Sequence, residues 1–169
     1  VIIQVAGNVT LDGYIVIDDI HSSIISSVTQ GAGNAGTIEL TAHSLNVDRG
    51  AGIGSVTFGT GHGGQVILHV TDQVKVSGSE TINGEKVNSE ISASAIAGSD
   101  TEELGNAGHV TINTRSLTLT DGGAVTTAAD SGKEGGNVVI KATHLLYLMA
   151  GKITTEVKGG QGNGGNITI

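Results

Sequence analysis

A glycine-anchored alternation recurs along the whole chain, and it restricts the possible folds more than any other feature. Gly33-Asn-Ala-Gly36, Gly61-His-Gly-Gly64, Gly105-Asn-Ala-Gly108, Glu134-Gly-Gly136 and Gly162-Asn-Gly-Gly165 each precede an apolar run of period two. With Gly7 added before Asn8-Val9, the anchors are 7, 36, 64, 108, 136 and 165, spaced 29, 28, 44, 28 and 29 residues apart. Two and four residues after each anchor stand Val9/Leu11, Ile38/Leu40, Val66/Leu68, Val110/Ile112, Val138/Ile140 and Ile167/Ile169. Strict alternation of this kind marks a strand with one apolar face.

A second apolar pair follows at Leu45/Val47, Val74/Val76, Leu117/Leu119 and Leu145/Tyr147, with Leu146/Leu148 competing for the inward register and Ile15/Ile17 a weaker copy. A third apolar position falls 17 residues after the anchor, at Ile24, Ile53, Val125 and Ile153. Three short strands in about 28 residues describe one coil of a parallel β-helix, in which like residues stack at the ~4.8 Å strand spacing. One coil cannot bury its inward residues alone, but stacking turns them into continuous ladders, each branched side chain contributing ~1.5–3 kcal/mol. Propeller blades and leucine-rich repeats have other periods and marks. The expectation is an all-β single domain over 1–169.

Composition supports that architecture. Glycine makes up 28 of 169 residues without recurring every third position, so it serves corners, where it admits φ > 0. Asn34, Asn106 and Asn163 share a column beside those corners. There is no Pro, no Cys and only one Phe and two Tyr, which disfavours disulfide scaffolds and aromatic-centred cores. The net charge is −8 with only eight Lys and Arg and no basic cluster, so neither nucleic acid nor an anionic membrane is an expected partner. The apolar stretch Leu145–Ala150 is far shorter than the ~20 residues a spanning helix needs. Beginning on Val1 and ending on Ile169 within an alternating pattern, the chain reads as an excised piece.

The third coil is longer than the others. From Val76 to a third-position residue at Ile96 the gap is 20 residues, against 6 from Leu119 to Val125, which places an insertion at 77–91. Asn83-Gly84 between Thr81-Ile82 and Glu85-Lys86-Val87 is a strong two-residue hairpin signal. Insertions in repeat proteins project from one face and often bind. Thr81, Ile82, Asn83, Gly84, Glu85 and Lys86 are therefore the candidate ligand contacts, although a tolerated surface loop is the plainer account.

Other chemistry is thinly supported. Glu80, Glu85, Glu90, Asp100, Glu102 and Glu103 gather around this coil but lack the close Asp/Asn spacing of a calcium loop. The six His fall at different repeat positions, and Gly61-His-Gly-Gly64 lacks the Asp of calcium-binding nonapeptides. A lyase would need clustered Arg or Lys, whereas Arg49 and Arg115 occupy different columns. The Thr-rich stretches do not form the regular array that an ice-binding face needs. No catalytic residue, metal or cofactor is assigned. Asn8-Val-Thr10 and Asn166-Ile-Thr168 match the N-glycosylation pattern and share a column in this register, as polar–apolar–polar strand starts also would.

Gly105-Asn-Ala-Gly-His-Val-Thr-Ile-Asn-Thr-Arg-Ser-Leu-Thr-Leu-Thr-Asp-Gly-Gly123, with weaker copies at 33–50 and 133–151, resembles the filamentous-haemagglutinin-like exoproteins of two-partner secretion systems. That resemblance covers essentially the whole chain. It implies a right-handed parallel β-helix, export through an outer-membrane secretion partner, and an extracellular or bacterial cell-surface location. It also implies the role of an adhesin stalk that presents a site for a glycan or for a protein of a host or neighbouring cell. The alternatives are a fragment of a carbohydrate-active β-helix enzyme and a purely structural filament or surface-layer spacer. The Asn-Pro-Asn-type motifs of the amino-terminal secretion module are absent from a chain without Pro.

Overall fold

The computed structural model describes residues 1–17, 19–82, 84–97, 105–130, 134–158 and 162–169. The chain opens with β1 (Ile2–Gln4) and β2 (Asn8–Asp12), projects a hairpin of β3 (Tyr14–Ile17) and β4 (Asp19–Ser22), and returns as β5 (Ile24–Gln30). Long and short strands then alternate: β6 (Thr37–Asp48) with β7 (Gly52–Phe58), and β8 (Gln65–Ser77) with a second hairpin, β9 (Ser79–Ile82) and β10 (Glu85–Asn88), before β11 (Glu90–Ile96). After these come β12 (His109–Thr120) with β13 (Ala124–Ala129), β14 (Asn137–Met149) with β15 (Lys152–Val157), and β16 (Ile167–Thr168).

Two parallel sheets result. The first runs β1-β6-β8-β12-β14-β16, with β2 also on β6, and the second runs β5-β7-β11-β13-β15. Each complete passage of the chain, or rung, adds one strand to each sheet, except that the first supplies both β1 and β2 to the first sheet. The protein is all-β, with parallel strands in stacked sheets, an arrangement compatible with a solenoid.

Stacking makes the apolar ladders. Ile38, Val66, Val110 and Val138 are in register, as are Leu40, Leu68, Ile112 and Ile140, and all eight are at most 1% exposed. The second sheet faces them with Ile25, Ile53, Ile91, Val125 and Ile153.

Several register details differ from the sequence expectation. The first and second short strands are fused into one strand of 12 or 13 residues, bent where the pairing slips between Ala42 and Ser44 and between Thr114 and Ser116. Val9 and Leu11 pair with Leu45 and Val47 in the second half of the sheet, while β1 places Ile3 on Leu40. A glycine followed by alternation describes the bend at Gly7 as well as it describes a true anchor. Leu146 and Leu148 continue the Leu117 and Leu119 columns, so Leu145 and Tyr147 face outward. Ile25 rather than Ile24 points inward, and Ile24 is 56% exposed. Residues 14–17 form β3 of a hairpin instead of a second strand.

The glycine anchors are required by close approach. A Cβ on Gly64, Gly108 or Gly165 would lie 2.0, 1.8 or 1.1 Å from the carbonyl oxygen of the anchor glycine one rung earlier. Of the anchor glycines 36, 64, 108, 136 and 165, only Gly136 has φ > 0, at 71°. Hydroxyls from the second sheet satisfy carbonyls of this crowded corner: Ser55 Oγ donates to Gly36 O at 2.6 Å, Thr127 Oγ to Gly135 O, and Thr155 Oγ to Gly165 O at 3.0 Å.

Outside the corner, polar side chains accept from the backbone of the next rung. His62 N donates to Asn34 Oδ1 at 2.9 Å, Asn106 N to His62 Nδ1 at 2.9 Å and Glu134 N to Asn106 Oδ1 at 3.3 Å. One column away, Asn137 N donates to His109 Nδ1 at 3.1 Å and Asn166 N to Asn137 Oδ1 at 2.9 Å. His62 thus stands in the column that Asn34 and Asn106 occupy.

Two outcomes follow from this packing. Gly108→Ala should cost at least ~4 kcal/mol by denaturant unfolding, whereas Gly7→Ala, with nothing within 4 Å of its Cβ, should stay within ~0.5 kcal/mol. His62→Ala should cost ~1 kcal/mol by leaving the Asn106 N–H without its acceptor, and His62→Asn should recover most of that loss.

Candidate functional site

The corner leading from the first sheet to the second takes two forms in the four rungs up to β13, and a shorter turn with positive φ only at Ala150 joins β14 to β15. In the β6–β7 rung it is a tight turn over Asp48–Ala51, with Arg49 and Gly50 at φ 52° and 81° and Ala51 N donating to Asp48 O at 3.2 Å. In the β12–β13 rung the same turn spans Thr120–Gly123, with Asp121 and Gly122 at φ 54° and 96° and a 2.8 Å bond. Positive φ at both central positions is the type I′ pattern. In the two remaining rungs above β13, antiparallel hairpins replace the turn, entered through Gly13 at φ 73° and Gly78 at φ 77°. They close through Ser23 N to Gly13 O at 3.3 Å and Ser89 N to Gly78 O at 3.0 Å.

Register places the second hairpin's ends. Ser77 pairs as part of β8, and Glu90 and Ile91 pair with Gly52 and Ile53, so the projecting segment is 79–88 and is narrower than 77–91. The Val76–Ile91 gap is fifteen residues where Val47–Ile53 is six, so Ile91, not Ile96, occupies the third position. Most of the remaining extra length of this rung lies between Ile96 and Gly108, where 98–104 fall outside the described residues, and one residue lies in the slip between Val70 and Val74.

The hairpin is held against the turns on either side of it. Gly50 N donates to the buried Ser89 Oγ at 2.9 Å, and a Cβ on Gly50 would lie 3.3 Å from Glu80 Cβ. A Cβ on Gly122 would lie 2.8 Å from Asn88 Oδ1. Arg49 grips the base of the first hairpin, its Nε and Nη2 donating to the two Asp12 carboxylate oxygens at 2.9 and 2.8 Å. The Asp12 hydrogen bond and charge, with Asp48 and Glu80 nearby, raise the Arg49 pKa above its ordinary value. Asp48 Oδ1 accepts from Arg49 N at 2.9 Å and from Ser77 Oγ at 3.0 Å, fixing the turn to β8.

Beside the hairpin lies a trough of about 300 Å³ on the outward face of the second sheet. Its floor is low because Gly52 and Gly54 occupy β7, and its sides are Ile24, Val28, Phe58 and, from the hairpin, Val87. These four are 56, 52, 39 and 37% exposed, so apolar surface remains in water at one end of the sheet face. Toward β15 the surface continues as a polar depression of about 280 Å³ through Ser94, Thr126, Asp130, Lys152 and Glu156. Lys158 Nζ lies 3.4 Å from Asp130 Oδ1, and the Glu90 carboxylate accepts from Thr126 Oγ1.

The candidate contacts from the sequence divide unevenly around this surface. Thr81 faces Lys86 across the hairpin, Glu85 faces Ile82, and Thr81, Gly84, Glu85 and Lys86 are exposed. Asn83 and the Ile82 side chain lie outside the described residues, as do Asp100, Glu102, Glu103 and the His21 side chain. Val87, immediately after the expected set, is the hairpin residue that lines the trough together with Asn88. Sequence reasoning passed over Val28 and Phe58, whose available signal was an apolar residue on the outward parity of a strand, and placed Ile24 inward. The two acceptor-pattern asparagines are not in one column: Asn8 Oδ1 accepts from Ser44 Oγ at 2.7 Å in the second half of the first sheet, while Asn166 adjoins Asn137 in the first half.

Comparison with known proteins returns no match to a family model, a curated protein or a solved structure.

Because the trough residues point away from the core, a Val28→Ser/Phe58→Ser double variant should unfold within ~1 kcal/mol of the parent. It should also lose most of the parent's fluorescence enhancement of an apolar dye, measured with both proteins fully folded.

Proposed function

We propose that the chain is a segment of a right-handed parallel β-helix in a secreted bacterial adhesin of the filamentous-haemagglutinin-like type, acting outside the cell or on its surface. In this reading export runs through an outer-membrane secretion partner, and the segment presents a binding surface made by the 79–88 hairpin and its neighbouring trough. The target is a glycan or a surface protein of a host or neighbouring cell. The observation that carries the reading is the hairpin that breaks a regular stack and walls an exposed apolar trough with Val87.

The physical division of labour is simple. The rungs supply rigidity through buried ladders, so the surface is organised before a ligand arrives and little ordering entropy opposes binding. Thr81, Glu85 and Lys86 stand exposed on the hairpin for polar contacts, while Phe58 and Val87 offer apolar area to be covered. The charged depression beyond them gives the long face a polarity that orients a partner along the stack.

The test replaces residues 78–89 with Asp-Gly-Gly, the turn of the β12–β13 rung. Stability should stay within ~1 kcal/mol, because the hairpin adds no inward ladder residue. Retention on a panel of immobilised host glycans and cell-surface extracts should fall at least tenfold. Unchanged retention would sink the assignment of the hairpin, and the release of new saccharide chain ends by the parent would replace the adhesin with an enzyme.

A further inference from the structure

Two adjoining columns beside the anchor corner, Asn34-His62-Asn106 and His109-Asn137, turn side-chain N–H donors outward. A backbone N–H can only donate, so the side-chain atom it meets must be an acceptor. This sets the amides of Asn34, Asn106 and Asn137 with Oδ1 toward the next rung and Nδ2 away from it. It also sets His62 and His109 with Nδ1 unprotonated, leaving the proton of the neutral ring on Nε2. The stack thus occupies the ring acceptors of His62 and His109, engages the amide oxygens once each, and leaves N–H donors outward. Among the described residues, none accepts from those Nδ2 or Nε2 groups.

These donors are not scattered. Two adjoining depressions of about 350 and 380 Å³ run along the corner, sharing Asn106, Ala107 and His109. The first reaches back to Asn34 and His62 and the second forward to Asn137 and Asn166. Successive rungs repeat at the strand spacing of ~4.8 Å, so the donors form a stepped line along the stack axis, passing from the Asn34-His62-Asn106 column to the His109-Asn137 column within one rung.

We propose that this line is a binding site for a neutral, linear glycan lying along the stack. A glycan chain carries ring, glycosidic and hydroxyl oxygens at regular intervals, which is the acceptor series a donor line can meet. Its hydroxyl protons find an acceptor in Glu134, which lines the second depression. No Lys or Arg among the described residues lines either depression, and the chain carries a net charge of −8, so an anionic polysaccharide meets repulsion without a counter-charge. A protein interface favours an apolar centre, whereas these depressions are lined mainly by amide, imidazole and backbone groups, with the Glu134 carboxylate, the Thr37 hydroxyl and the methyls of Ala35 and Ala107. Without an aromatic platform each contact is weak, so affinity grows with the number of rungs spanned.

This site is separate from the hairpin and trough, and it stands or falls without them. The experiment is affinity electrophoresis of the full chain in gels containing galactomannan, mixed-linkage β-glucan or, as the anionic comparison, polygalacturonate, followed by titration with oligosaccharides of two to six sugars. Asn106→Asp/Asn137→Asp keeps an oxygen for each backbone N–H and removes two pairs of outward donors, so folding should survive while affinity falls about tenfold. Arg115→Gln, exposed on β12 and lining neither depression, should leave retardation within about twofold. Retardation by a neutral glycan that strengthens with chain length and is lost in the double Asp variant supports the site. Full retardation of that variant with its unfolding midpoint unchanged, retardation by polygalacturonate alone, or no retardation of the parent would overturn it. Loss of neutral-glycan retardation only on replacing 78–89 would likewise overturn it, while leaving the hairpin assignment standing.

Discussion

The contact on which the rest of the structure depends is backbone against backbone at the anchor corner. The carbonyl oxygen of one anchor glycine sits where a Cβ on the next would be, within 2.0 Å at Gly64 on Gly36 and 1.8 Å at Gly108 on Gly64. Rungs can approach at the sheet spacing only if the corner has no side chain to hold them apart. Once they do, the inward ladders of Val, Ile and Leu close with almost no residual exposure. The same closeness would bury carbonyls without partners. The Ser and Thr column of the second sheet answers that problem from inside, and the Asn and His column takes up N–H groups from outside.

The opposite corner obeys a different constraint, which explains why insertions collect there. Its tight turns in the β6–β7 and β12–β13 rungs hold positive φ at two successive residues, a local condition that any segment with suitable ends can replace. Gly13 and Gly78 retain the positive φ and open into hairpins, and the neighbouring rungs keep their register. The anchor glycines have no such freedom, because each is fixed by the rung before it, and the extra length on that side of the third rung falls ahead of them, between Ile96 and Gly105.

The period, the all-β class and most inward residues of the first sheet were legible in the sequence, because alternation reports burial directly when one face is core. What alternation cannot report is phase across a bend. From Ala42 to Leu45 and from Thr114 to Leu117 the inward residues are three apart, but from Val70 to Val74 and Ala142 to Leu146 they are four. One residue of slip therefore exchanged Leu145 for Leu146, and a glycine at a bend passed for an anchor at Gly7. The hairpin at 79–88 had a turn signature in Asn83-Gly84, whereas 14–22 carried none of comparable strength and was read as part of the repeat. The trough was illegible for a related reason: Phe58, Ile24 and Val28 are ordinary strand residues until the partner register shows them facing water. The donor line was half legible. The asparagine column was visible, but His62 joins it only when its ring nitrogen is seen to do the work of an amide oxygen.

Width governs which rungs can carry hairpins. A hairpin is two strands broad, close to two rung spacings of ~4.8 Å, so hairpins on consecutive rungs would contend for the same space. Here a tight turn separates them, and that turn is shaped by both neighbours. Gly50 lies under Glu80 and Val87, where a side chain would press on the hairpin, and Arg49 reaches across to Asp12 at the base of the other. Arg49 also has φ 52°, uncommon for a residue with a Cβ, and the turn's own bond from Ala51 N to Asp48 O helps to offset that strain. Spacing between projections is thus a property of the stack, and a ligand that touched both hairpins would be measured against a ruler set by the anchor glycines on the far corner.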